Sequence, residues 1–200
     1  MPAATTSPRS PGSDWRSVLR GGSADPAHQI VCRRKETCPM SQDDGVDVKA
    51  FIAHTVQRLR FEIAENGWTT VAVLPTAADP DVRYVYTVGL TTIGQPELAI
   101  YGVPASVAKQ LLDTLARRLI DRGAGPAPGE RFPEVVGGGL ELAAMPMTDS
   151  RDLLLVNCLY AQWSAVQIVW PDAAGRLPWE PGCALSSAAQ PLRGTAPAKT

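Results

Sequence analysis

Three apolar runs decide the fold: WTTVAVL at residues 68–74, RYVYTVGL at 83–90 and ELAIY at 97–101. Each is rich in β-branched and aromatic residues and short enough for a strand. In the second run Tyr84, Tyr86 and Val88 share one face, with Val85 and Thr87 on the other. In the third, Leu98 and Ile100 share a face. The links between the runs, Pro75–Asp81 and Gly94-Gln95-Pro96, are shorter than the dozen or so residues that a parallel crossover needs. The three runs therefore predict an antiparallel meander.

Helical periodicity flanks the meander on both sides. Val48, Ile52, Thr55, Leu59 and Ile63 recur at helical spacing, and with capping residues at 41–44 and a stop at Gly67 they predict a helix over Val46–Asn66. Pro104 opens a second helix that runs to Arg122 and closes at Gly123, burying Ala108, Leu111, Leu112, Leu115 and Leu119. Gly123–Gly139 reads as a long Pro- and Gly-rich loop. Leu140–Met147 reads as a fourth strand, Asp149 or Ser150 caps a third helix through about Trp163, and Ala165–Trp170 is a fifth strand. The order αβββαβαβ predicts an α+β domain: a mixed, mostly antiparallel five-stranded sheet with three helices.

Residues 43–185 are expected to form this single domain. Residues 1–42, with prolines at 2, 8, 11, 26 and 39 and no sustained apolar period, read as a disordered leader. Met40, just before the first helix, is a candidate alternative start of translation. Residues 186–200 are rich in Ala, Pro and Gly and read as a second disordered tail.

Charge and composition exclude several functions. With 19 basic against 20 acidic residues, the chain lacks the basic excess of a nucleic-acid or anionic-membrane binder. Its longest aliphatic run, Leu153–Val156, is far too short to span a bilayer, and the N-terminal region lacks the apolar stretch of a secretory signal. A cytoplasmic location is the expectation, with the four cysteines as reduced thiols. Of the two histidines, His28 is in the leader and His54 on the outer side of the first helix, so no Ser–His–Asp or Cys–His constellation and no metal site is expected. No motif names a cofactor. Gly137-Gly138-Gly139 leads into a strand rather than a helix, which does not suit a phosphate loop. Gly102-Val103-Pro104 does join a strand to a helix, so the amides of Ala105 and Ser106 are placed to meet an anion.

The remaining candidates lie at strand ends and turns. Glu97 follows Pro96 at the start of a strand, and Asp172 follows Pro171 at the end of one. Asp172 also suits a turn-forming role, because an Asp opening a Gly-containing turn bonds the amides that follow. Trp170 and Trp179 flank that turn among prolines and suit either a core lid or an apolar pocket wall. Tyr86, Gly89, Glu97, Gln167, Trp170, Asp172, Arg176 and Trp179 are the candidate ligand-binding residues.

Gly67-Trp68, Tyr86-Thr87-Val88-Gly89-Leu90, Pro96-Glu97-Leu98, Gly102 and the closing QIVWPDAAGRLPW at 167–179 together resemble the bacterial domain-of-unknown-function family 4262. The resemblance spans Gly67–Gly182; Ala161-Gln162-Trp163 departs from the glycine- and tyrosine-rich helix end that the family suggests. It implies a compact cytoplasmic α+β domain and carries no activity with it. From the residues, the leading expectation is a non-catalytic ligand- or protein-binding or regulatory module. Its pocket would draw on the Tyr86–Gly89 strand end, Glu97 and the Trp170–Trp179 turn. The rivals are an enzyme using Glu97, Asp172 and Tyr86 in acid–base chemistry under a lid at 123–139, and an immunity- or accessory-type partner recognised through its surface.

Overall fold

The computed structural model describes residues 30–32, 48–75, 77 and 83–197. A short strand β1 (Ile30–Cys32) precedes helix α1 (Val48–Asn66). The meander follows as β2 (Thr69–Val73), β3 (Tyr84–Val88) and β4 (Glu97–Tyr101), with a single 3-10 turn at Leu90–Ile93. Helix α2 (Ala105–Arg122), strands β5 (Arg131–Phe132) and β6 (Leu142–Pro146), helix α3 (Leu154–Leu159) and strand β7 (Ala165–Val169) complete the order. One sheet holds all the strands in the order β1-β2-β3-β4-β7-β6-β5. The pairs β1–β2 and β4–β7 are parallel and the others antiparallel, so the fold is α+β with a mixed sheet.

All five expected strands are present, and two short edge strands extend the sheet beyond them. β5 lies inside the stretch expected to be a free loop, because Arg131 and Phe132 pair with Ala143 and Leu142 and Phe132 is buried. β1 lies inside the expected disordered leader, with Ile30 opposite Val71; the rest of residues 1–47 and the Met40 start lie outside the described residues. No helix among the described residues is long and apolar enough to cross a membrane.

Alternation along the strands divides the core in two. Val85, Leu98, Ile100, Leu142, Ala144, Val166 and Ile168 face α2, which buries the predicted stripe of Ala108, Leu111, Leu112, Leu115 and Leu119. Tyr84, Tyr86, Val88, Ala99, Tyr101 and Ala165 face the other way, under Leu59 of α1 and Leu155 and Val156 of α3. The same face continues over β6 and β7 as Ala143, Met145 and Val169, covered by Leu177 and Trp179. α2 ends as expected, with Gly123 in the left-handed region (φ 69°) donating its amide to Leu119 and Ile120 carbonyls.

Two elements depart from expectation. α3 covers only Leu154–Leu159 rather than reaching Trp163. The chain before it is held in a turn, with Leu153 N–H donating to Ser150 O, while the Asp152 carbonyl accepts the Tyr84 hydroxyl at 3.0 Å. After it, Tyr160 is extended. The second departure is residues 190–194, which are held on the sheet instead of trailing away: Gln190 is 1% exposed. The Gln190 side-chain amide finds backbone partners there, a signal that hydropathy does not carry.

Leu112 and Leu115 are fully buried against the sheet. Replacing Leu112 by Ala is expected to cost about 2–5 kcal/mol of stability, read from the denaturant midpoint at unchanged slope.

Candidate functional site

Gly89 ends β3 at φ 125°, a conformation that glycine reaches and other residues avoid. This turns the chain into the 3-10 segment and aims its amides at Glu97. The Glu97 side chain is completely buried. Its Oε1 accepts the Gly89 N–H (2.9 Å), the Thr91 N–H (3.0 Å) and the Thr91 hydroxyl (2.8 Å), and its Oε2 accepts the Thr87 hydroxyl (2.7 Å). The Thr87 oxygen in turn accepts the Leu98 N–H at 2.8 Å. A buried carboxylate tolerates that position only when such donors replace its water. Tyr160, half-buried nearby, has its phenol pushed up by burial and then by the Glu97 charge.

Trp170, Asp172, Arg176 and Trp179 form a second group at the opposite end of the sheet. β4 and β7 run parallel with Glu97 opposite Ala165, and Trp170 comes five residues later. The two groups are thus separated by roughly 16 Å along the strands. The single pocket expected from sequence does not form; Tyr86 is buried under α3, its hydroxyl accepting the Leu155 N–H at 3.4 Å. Trp170 packs in the α2-facing core and donates its indole N–H to the Tyr101 carbonyl at 2.8 Å.

Asp172 shapes its turn, as its residue type suggested. Oδ1 accepts the amides of Ala174 and Arg176, both at 2.9 Å. Oδ2 accepts the Ala184 amide at 2.9 Å and the Arg176 Nε at 3.2 Å. The backbone bonds from Arg176 and Ala184 hold its pKa down at about 2. Gln167, also fully buried, donates Nε2 to the Pro191 carbonyl and accepts the Arg193 N–H, at 2.8 and 2.7 Å.

A polar cluster beside Gln167 was not legible as a site. Asp152, 8% exposed, pairs with Arg193 at 2.8 Å and accepts the Tyr101 hydroxyl at 3.4 Å. The Arg193 guanidinium lies 5.5 Å from the Tyr101 ring centre, and Tyr84 stacks on Tyr101 with ring centres 5.0 Å apart. Burial, then the Asp152 charge, pushes the Tyr101 phenol far up. Tyr101, Asp152 and Arg193 lie more than 40 positions apart in sequence, so only the fold brings them together. The described residues also line an open surface cavity of about 290 Å³, walled by Val73, Leu74, Val85 and Val103 with exposed Arg83 and the first residues of α2 at its rim.

The sequence profile of the domain of unknown function family DUF4262 matches residues 62–184. The chain belongs to that family. The match takes in the Glu97 knot, the cavity and the Asp172 turn, whereas β1, most of α1 and the segment carrying Gln190 and Arg193 lie outside it. No curated protein and no solved structure matches the chain.

Replacing Glu97 by Ala would strand the Gly89 and Thr91 amides and is expected to cost about 2–4 kcal/mol, measured by chemical unfolding. For Asp172 the folded pKa is below the ordinary 3.8. Its contribution is therefore complete above that value and lost as pH falls toward about 2. The difference in Tm between wild type and Asp172→Asn should be constant near neutrality and shrink between about pH 4 and pH 2.

Proposed function

We propose that the domain is a non-catalytic binding or regulatory module, taking small apolar anions at the cavity beside Arg83. The observation that carries this reading is the state of the acid–base candidates. Glu97 and Asp172 each have both oxygens taken by four donors, and Glu97 is sealed from solvent. A general acid or base must reach the substrate's proton and change protonation in each cycle. For these two groups that change would break the bonds holding a turn in place. The cavity has what a small ligand site uses: apolar walls, one cation and free space. Its volume suits a molecule of short-chain carboxylate size.

A protein partner has separate support, because α1 leaves Phe51 and Phe61 49% and 67% exposed. Incubation of the chain with a cell extract, followed by desalting and mass analysis, tests the readings together. Retention of anionic compounds at no more than one equivalent, lost in Arg83→Ala, is the expected result. Consumption of many equivalents of any compound would overturn the non-catalytic reading. A retained protein released by Phe61→Ser would move the site to α1.

A further inference from the structure

The segment that follows the family-matched region is bound to the sheet as an extended peptide is bound in a groove. Two side-chain amides read main chain reciprocally. Gln167 holds the Pro191 carbonyl and the Arg193 amide, while Gln190 donates to the Trp170 carbonyl (2.8 Å) and accepts the Trp170 N–H (2.9 Å). The amides of Thr148 and Asp149 donate to the Arg193 carbonyl, and Met147 bridges Gly194 in antiparallel fashion. Gly102 leaves room for the crossing, since a Cβ there would lie 1.9 Å from the Ala189 carbonyl oxygen. Main-chain bonds with pockets for spaced side chains are the usual means by which a groove recognises an extended segment.

Two anchors define what this groove reads. Gln190 is 1% exposed, and Arg193 enters a recess where Asp152 supplies the charge and Tyr101 the ring face. Between and around the anchors little is buried: Leu192 is 37% exposed, and residues 186–189 are exposed. Arg193 Nε is shielded from water without a hydrogen-bond partner. The segment is therefore held by polar and main-chain contacts over residues 190–194, and none of its side chains belongs to a hydrophobic cluster. Contacts of that kind can open without unfolding the sheet beneath them.

We infer that the groove built on Gln167, Trp170, Tyr101 and Asp152 is a recognition site for an extended peptide carrying Gln and, three residues on, Arg, with the chain's own residues 190–193 as its built-in occupant. Release of this strap presents the groove to the same segment of a second copy. The inference does not depend on the cavity beside Arg83, which lies at another part of the sheet.

The test uses the full chain with its strap disabled by Gln190→Ala and Arg193→Ala, titrated with a fluorescent peptide of residues 186–197. The double variant should bind the peptide at least tenfold more tightly than wild type, whose own strap competes. A peptide carrying Arg193→Ala should bind at least tenfold more weakly, as should the double variant with Asp152→Asn added. No binding by the folded double variant, or equal binding by wild type, overturns the inference. Hydrogen exchange on wild type decides the matter if the double variant does not fold. The Arg193 amide should then exchange at least a hundredfold faster than those of Leu98 and Ile100; exchange at the same rate would make the strap part of the global fold and refute an exchangeable site.

Discussion

Every residue of β2, β3, β4 and β7 is buried, so the centre of this sheet needs cover on both faces. That constraint organises the rest of the molecule. α2 satisfies it on one side with a continuous leucine stripe. On the other side the supply of helix runs out: α1 lies over β2 and β3, and α3 has six residues. The remaining area over β6 and β7 is closed by irregular chain, through Leu177 and Trp179. Irregular chain brings unpaired backbone groups with it, and each has to be satisfied where it lies.

The buried polar side chains are answers to that second demand. Glu97 gathers the amides released where β3 ends and the 3-10 turn begins. Asp172 gathers those of the turn after β7, and Gln167 pairs with a strap that cannot pair as a strand along its length. Each is costly to bury alone and stable only as part of its knot. Glu97 and Asp172 also stand in the runs that carry the family resemblance. A polar residue kept inside a sheet can be a structural tie as readily as a reagent, and here the hydrogen-bond geometry distinguishes the two.

Legibility followed the range of the interactions. The faces of β3, the stripe of α2 and the stop at Gly123 were readable because period and capping are local. The Asp172 turn was readable for the same reason, its partners among residues 174–176 lying within a few positions. α3 starts later than the caps at Asp149 or Ser150 suggest because Asp152 is committed to Tyr101 and Arg193, which holds the preceding chain in a turn. The strap is not legible because its hold on the sheet rests on side chains whose partners are 20 or more residues away.

By itself the sequence determined the α+β class, the five main strands and the family, since alternation, helical period and turn chemistry act over a few residues. Tertiary structure alone decided that Glu97 and Trp170 stand at opposite ends of parallel strands, and that Gln167, Asp152, Tyr101 and Arg193 meet. The reason is physical: the parallel β4–β7 pairing is made across more than 60 residues of chain, and no local preference encodes which strand end a distant segment will reach.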